Sequence, residues 1–358
     1  MEHPGRMRMQ CVQRSVVAVA GGLATILLSA CGGGGASSPI AGGAGGSSVS
    51  PSYSTYAIPG LPDQYKTAQN AFYHIGPAAD GSVWFGGAVQ GEFSGGSFSN
   101  VGADVGVGGG ALTAGRGADG DAYTGDIGRA GPSRGGSVRN EATKATWGLP
   151  SSCAPTNPPG CPAPSADPPV AIVAGPDGAT WALTTAEMVR LNADGSTSTI
   201  PLPSANPLPA DVALGTDGAF WVTEPAEGLI ERVPVSGTAT TVTTGGHPNR
   251  IASGPDGALW YLDTAGSLRR LTTSGSVTTV VASVDGGVTE ADGIASAGGA
   301  LWYTEENANK LAEVTTGGSV AEFAVPSAGS APVGVAAAPD GSLWFVEGAG
   351  AVLVHATL

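Results

Sequence analysis

The sequence predicts an all-β fold, a seven-bladed β-propeller of four-stranded antiparallel blades whose ring is closed by the N-terminal strand. Three observations carry this. A turn built on Asp-Gly or Gly-Gly, followed by an aromatic, recurs seven times, from GPAADGSVWFGG (76–87) to APDGSLWFVE (338–347). The aromatics Trp84, Tyr123, Trp181, Trp221, Trp260, Trp302 and Trp344 stand 39, 58, 40, 39, 42 and 42 residues apart, a period near forty. One such signature per unit marks a propeller or another repeat array. Finally, the chain beyond Trp344 is long enough for a third strand (351–358) but not a fourth, while Tyr53-Ser-Thr-Tyr-Ala-Ile-Pro59 looks like an outer strand at the wrong end.

From the N-terminus, residues 1–30 read as a signal peptide. Arg6, Arg8 and Arg14 precede an apolar stretch, Ser15–Leu28, that is too short to span a bilayer. It ends in Leu28-Ser-Ala-Cys31, which resembles the lipobox of bacterial lipoproteins. That resemblance implies cleavage before Cys31 and acylation (a palmitate-type anchor) on it. Several acyl chains anchor firmly where one is marginal. The expected location is the bacterial cell envelope, lipid-anchored, on an outer membrane and facing the periplasm or the surface. Residues 31–52 carry the lipidated Cys and a Gly/Ser-rich tether. Its reach is a few tens of ångströms at most, on a scaling of about 5–6 Å times √n.

The domain proper is 53–358. Repeat five shows the unit in full: Arg250-Ile-Ala-Ser-Gly, the turn Pro255-Asp-Gly, Ala258-Leu-Trp-Tyr-Leu-Asp263, Leu268-Arg-Arg-Leu-Thr, and Val277-Thr-Thr-Val-Val. Four short strands between Gly, Asp and Ser turns make a meander. Asp-Gly suits a tight hairpin because Gly takes positive φ without steric cost. Each aromatic is the right size to wedge between adjacent twisted sheets. Tyr53–Pro59 resembles the outer strands of blades three and six, Ser196–Pro201 and Ala321–Pro326, and would close the ring by pairing with the last blade.

The 58-residue gap holds a Pro-rich insertion, 149–168, with Cys153 and Cys161. Cys11 departs with the signal, so two cysteines remain in an exported loop and are most simply a disulfide. Closing so small a loop contributes about 2–3 kcal/mol on the chain-entropy model. Removing three Arg and one Glu with the signal leaves 12 basic and 28 acidic residues, a net charge of −16. This argues against nucleic acid and anionic lipid surfaces as partners and permits cations. A monomer with a small-molecule or protein ligand is expected.

In a meander the residues just before strand one and just after strand two gather at one mouth. The second set is Glu224, Asp263, Glu305 and Glu347; the first adds Asp211, Asn249-Arg250 and Glu290-Ala-Asp292. The expected result is a cluster of carboxylates over blades four to seven with one guanidinium among them. It could hold Mg²⁺ or Ca²⁺ through oxygen ligands, or supply a carboxylate tuned for proton abstraction. Alternatively, each acid accepts loop N–H groups and fixes the repeat. Glu290 and Asp292 break the pattern and are the better functional candidates. His247 is the histidine nearest this mouth; His74 and His355 read as structural or solvated.

The repeat itself resembles the virginiamycin B lyase (streptogramin lyase) family. The matching pieces are Ile251-Ala-Ser-Gly-Pro-Asp-Gly-Ala-Leu-Trp-Tyr, Asp292-Gly-Ile-Ala with Leu301-Trp-Tyr-Thr-Glu305, and Asn309-Lys-Leu with Thr315-Thr-Gly-Gly318. The resemblance implies seven blades and a Mg²⁺-assisted elimination that opens a cyclic depsipeptide at its ester. Its working residues come from P-H-x-I, E-P-H-G-I and W-F-x-E. Glu290 and Glu305 match the two acids, as catalytic residues and metal ligands. Asn249 stands where the first motif has His, and Asp292 where the second has its proton-accepting His. Asp292 would then be the substitute base, with His247, Asn249, Arg250 and Asp211 around the ligand. Two readings follow: a tethered propeller that binds a ligand or partner at its mouth, and a divalent-cation-dependent lyase with altered residues. A calcium-dependent lactone hydrolase shares the acidic mouth, but its characteristic motifs are not visible.

Overall fold

The computed structural model describes residues 50–61, 74–87, 89–103, 113–126, 136–150, 169–205, 207–289 and 293–358. The signal, Cys31 and nearly all of the tether, Cys153 and Cys161, and Glu290 and Asp292 lie outside the described residues. All the described residues belong to one compact unit, 46–358.

Among the described residues, twenty-eight strands form seven four-stranded antiparallel sheets. After β1 (Ser52–Ala57), blade one holds β2 (His74–Pro77), β3 (Val83–Gly86), β4 (Val89–Ser94) and β5 (Ser97–Ala103). Blade two holds β6 (Thr113–Arg116), β7 (Ala122–Asp126), β8 (Ser137–Asn140) and β9 (Thr146–Gly148). Blade three is β10 (Ala171–Ala174), β11 (Thr180–Leu183), β12 (Glu187–Leu191) and β13 (Thr197–Pro201). Blade four is β14 (Asp211–Leu214), β15 (Ala219–Glu224), β16 (Leu229–Pro234) and β17 (Thr240–Thr243). Blade five is β18 (Pro248–Ser253), β19 (Leu259–Asp263), β20 (Ser267–Leu271) and β21 (Val277–Val281). Blade six is β22 (Ile294–Ala297), β23 (Ala300–Glu305), β24 (Lys310–Val314) and β25 (Val320–Ala324). Blade seven has β26 (Pro332–Ala337), β27 (Leu343–Glu347) and β28 (Val352–Thr357), and β1 supplies its outer strand.

The expected closure is therefore the observed one. Ser52 to Ala57 pair in continuous register with Thr357 to Val352. Each inner strand packs on the inner strand of the next blade, and β26 packs on β2, which completes the ring. The inner strands approach so closely that a Cβ on Gly115 would lie 2.7 Å from the carbonyl oxygen of Ile172.

The seven aromatics are buried and mark the seven interfaces. Trp181 packs with Val212, Phe220 and Val222 of blade four, and Trp221 with Ile251, Leu259 and Tyr261 of blade five. Trp260 meets Ile294 and Tyr303 of blade six, and Trp302 meets Leu343 and Phe345 of blade seven. Trp344 meets Val83 and Phe85, Trp84 meets Ala114 and Ala122, and Tyr123 meets Ala182 and Val189. No blade covers both its faces alone, so this stacking is the core.

The Asp of the Asp-Gly turn does more than shape a hairpin. In blades three, four and five its Oδ1 accepts the Trp Nε1–H, from Trp181 to Asp177, Trp221 to Asp217 and Trp260 to Asp256, at 3.0–3.1 Å. Its Oδ2 accepts Nε–H from Arg190, Arg232 or Arg270 at 2.6 Å. Those arginines sit directly opposite the tryptophans on the third strand. In blade two, Tyr123 and Asn140 both donate to Asp119 in the same way. Blade six has Gly-Gly in the turn, and Trp302 donates instead to the carbonyl of Ala297.

Candidate functional site

The residue two places before the inner-strand partner of each aromatic occupies one level of the ring. Reading the registers, this level holds His74, Thr113, Ala171, Asp211, Arg250, Gly293 and Gly334. Four of the seven are small or buried, so His74, Asp211 and Arg250 set its chemistry. All three line a central channel of about 300 Å³. His74 and Arg250 also line a wider cavity of about 800 Å³ at the mouth, where His247 and Asn249 join them. Of the expected ligand-binding set, His247, Asn249 and Arg250 line the mouth cavity, while Asp211 lies deeper, in the channel, where Arg250 joins it.

Each of these groups is held. Asp211 accepts the N–H of Val212 at 2.8 Å on one oxygen and of Ile251, from the next blade, at 3.1 Å on the other. Burial raises its pKa, with the Arg250 charge pulling the other way. Arg250 reaches the carbonyl of Ala210 at 3.4 Å. His247 Nδ1 lies 2.8 Å from the carbonyl of Pro225. Asn249 is almost fully buried and donates to the carbonyl of Thr289 at 3.2 Å, tying blade five to the loop that enters blade six. An amide at this position can orient a ligand or a loop but has no lone pair basic enough to take a proton.

His74 is the functional-site residue that sequence reasoning missed. Enclosure by the channel walls, and then the Arg250 charge, lower its pKa to about 3. It is a neutral imidazole throughout the physiological range, a donor and acceptor rather than a charge. Its place on the first residue of an inner strand, level with Asp211, was the available signal.

The four second-strand acids do not open onto the mouth. Glu224, Asp263, Glu305 and Glu347 are all fully buried. Glu224 accepts the N–H of Leu208 at 2.7 Å, Asp263 that of His247 at 3.0 Å, and Glu347 that of Ser327 at 2.8 Å. In each case the donor lies on the loop arriving from the outer strand of the previous blade. The acids pin those crossings beneath the surface, because a buried loop N–H needs an acceptor. Among the described residues, no carboxylate lines the mouth cavity.

Glu305 differs from the other three. Neither of its oxygens accepts a hydrogen bond of ordinary geometry. Burial, and then the Glu322 charge, push its pKa up to about 7, while Lys310 acts against them. Its carboxylate lies with those of Asp285 and Glu322, ligand atoms within 4.8 Å of one another. Lys310 Nζ contacts Asp285 at 2.6 Å and Glu322 at 2.5 Å. Three hard oxygen donors, one of them an orphaned buried carboxylate, fit a Mg²⁺ or Ca²⁺ ion, for which the Lys310 ammonium is the internal competitor. Glu290, the other expected ligand, lies outside the described residues.

A closed seven-bladed ring with a polar channel opening into one wide mouth defines a ligand-handling β-propeller. The chain belongs to the virginiamycin B lyase family, whose model matches residues 162–357. Selenomethionine-substituted virginiamycin B lyase from Staphylococcus aureus is similar over 86% of this chain and 99% of its own, at 20% identity and a TM-score of 0.65. A catalytically inactive histidine-to-alanine variant of that enzyme, solved with quinupristin, gives 22% identity and 0.64 over 86% and 100%. Hydrazine synthase from Kuenenia stuttgartiensis gives 13% and 0.56 over 80% and 96%. At these identities the structural likeness is one of fold. No curated protein matches the chain by sequence.

Proposed function

We propose that the protein is an exported lipoprotein, anchored through Cys31 to the bacterial envelope, whose propeller binds a ligand or partner protein at the channel mouth. The observation that carries this reading is the cavity of about 800 Å³ where His74, His247, Asn249 and Arg250 converge. Its size is that of small-molecule sites, and its walls mix apolar surface with a few placed polar groups. Asn249 and Asp292 at the two family histidine positions favour binding over turnover. The tether of residues 31–52 would hold a monomeric propeller close to an outer membrane, and Cys153–Cys161 would staple the insertion. Loss of acyl-chain labelling and of membrane retention in Cys31→Ser tests the anchor.

The second reading is a divalent-cation-dependent lyase, favoured by the orphaned carboxylate of Glu305 beside Asp285 and Glu322. Those residues, with Glu290, would hold the ion. The chemistry an ion supplies to a lyase of this kind is polarisation of an ester carbonyl, here of a cyclic depsipeptide. Since Glu305 lies beneath the mouth, Glu290 would have to connect the two. Asp292 would take the proton, and Arg250 and neutral His74 would orient the substrate.

Quinupristin added to the full chain in detergent separates the two readings. Binding is followed by calorimetry and ring opening by mass spectrometry. The expected result is saturable binding, weakened at least tenfold in Arg250→Ala, with no linear product. Metal-dependent linear product would replace the first reading by the second. No binding at millimolar quinupristin would remove both as applied to this ligand class.

A further inference from the structure

Each second-strand acid has a diagonal neighbour on the third strand of its blade. In blade five these two are Asp263 and Arg269, and their side chains meet at 3.1 Å. In blades six and seven the neighbour is uncharged, Ala312 for Glu305 and Val354 for Glu347. In blade four it is Glu231, diagonal to Glu224. There the repeat sets two carboxylates side by side.

Both are fully buried. One oxygen of each is fixed by the crossing loop, which gives the Leu208 N–H to Glu224 Oε2 at 2.7 Å and the Ser204 N–H to Glu231 Oε1 at 2.9 Å. The other oxygen of each, Glu224 Oε1 and Glu231 Oε2, is buried with no hydrogen-bond partner. The same face of the blade packs on Leu183, Met188 and Leu202 of blade three, which bring no charge. Glu227, held to the Ser204 hydroxyl at 3.0 Å, adds a third acid. The ion pairs among the described residues bring no Lys, Arg or His to any of the three.

Two buried carboxylates without a counter-charge cannot both stay ionised. We propose that Glu224 and Glu231 hold one proton between them, and that this proton latches the 202–210 crossing shut. While it is shared, the two orphaned oxygens have a partner in each other. Once it is lost, two like charges need water, and water reaches them by lifting the crossing whose N–H groups cover them. That crossing carries Leu208 and Ala210 of the mouth wall. The latch is independent of any ligand; its effect on binding rests on the mouth reading above.

The direction of the pH response follows. Burial, and then the Glu231 and Glu227 charges, push the pKa of Glu224 up to about 7 against the pull of the Leu208 N–H. Burial raises Glu231 as well, against its Ser204 hydrogen bonds. The two titrate as a pair. An acid raised in the folded state stabilises it fully below the unfolded value of 4.5, and the contribution is lost as pH rises through about 7. The crossing should therefore be closed in mild acid and loosened in mild alkali.

Hydrogen exchange of the full chain in detergent, corrected for the intrinsic pH dependence of exchange, tests this at the Ser204 and Leu208 amides. Their opening is expected to increase at least tenfold between about pH 5.5 and about pH 9. The His247 amide, which donates to Asp263 in the ion-paired blade five, should show no such increase. The doubly substituted Glu224→Gln, Glu231→Gln chain should lose the dependence. Glu231→Arg, which recreates the blade-five pair and keeps Glu224, should lose it too, while Glu305→Gln should leave it in place. A flat profile in the unsubstituted chain would overturn the proposal, as would a dependence that survives in either Glu231 variant or vanishes in Glu305→Gln. No ligand enters this experiment, so its failure and that of the mouth reading are separate results.

Discussion

Trp260 Nε1 lies 3.0 Å from Asp256 Oδ1, four residues earlier, and the other oxygen of Asp256 holds Arg270 at 2.6 Å. One turn carboxylate thus clamps the interface aromatic and the third strand, and the arrangement recurs on Asp177 and Asp217. Burial acts against the charged form of all three, but the Trp and Arg hydrogen bonds outweigh it and leave the pKa below the ordinary 3.8. An acid with a lowered folded pKa stabilises the fold above its unfolded value, and the contribution is lost as pH falls through the folded one. The melting temperature should therefore drop steeply below about pH 4. Asp256→Asn, which keeps an acceptor for Trp260 but loses the ion pair, should cost about 1 kcal/mol at pH 7 and flatten part of that acid limb.

Closure of the ring rests on β1. Deleting residues 50–58 would expose the edge of β28 and remove Ile58, 6% exposed in the closed ring, from the core cluster it shares with Val333, Trp344 and Leu353. The expected loss is about 3–5 kcal/mol, with new oligomers formed through the open edge. Thermal melts and size-exclusion chromatography of the truncated chain measure both.

Gly115 packs where two inner strands leave no room for a methyl. A Cβ there would meet the Ile172 carbonyl oxygen at 2.7 Å and the Ile172 Cβ at 2.9 Å. Neither strand can retreat without opening the ring, so Gly115→Ala should cost about 1–3 kcal/mol. Gly148→Ala, where nothing lies within 4 Å, should stay within about 0.5 kcal/mol. Denaturant melts of the pair separate packing from a general intolerance of Gly→Ala.

Lys310 binds Asp285 and Glu322 next to the orphaned Glu305. Lys310→Gln should lower the melting temperature in chelator, because three carboxylates then face one another unscreened. Added Mg²⁺ or Ca²⁺ should restore it, with an affinity several-fold higher than in the unsubstituted chain. If restoration were equal in Lys310→Gln and in the same chain carrying Glu305→Gln, the cluster would not be a cation site.

The blade count, the wedging aromatics and the N-terminal closing strand were legible in the chain because each is a local, periodic signal: a turn that demands glycine, an aromatic at a fixed offset, an outer-strand pattern at the wrong end. The placement of His247, Asn249 and Arg250 at the mouth was legible in the same way, since position within a repeat maps onto position around the ring. The Trp–Asp–Arg clamps were visible in principle, with Arg190, Arg232 and Arg270 following each Trp by nine to eleven residues. They acquire meaning only when the register sets each Arg opposite its Trp.

His74 and the burial of the second-strand acids could not be read this way. His74 shares no motif with Arg250 and becomes its neighbour only because the ring brings blade one round to face blade five. Glu224, Asp263, Glu305 and Glu347 looked like one set facing a mouth, yet loops cross over them, and whether a crossing covers a carboxylate depends on three-dimensional path length and packing. The sequence alone determined the architecture, because short-range turn chemistry and a forty-residue period specify a closed ring of blades. Only the tertiary structure decided which polar groups face the channel and which carboxylates lack a counter-charge, because those depend on contacts between blades far apart in the chain.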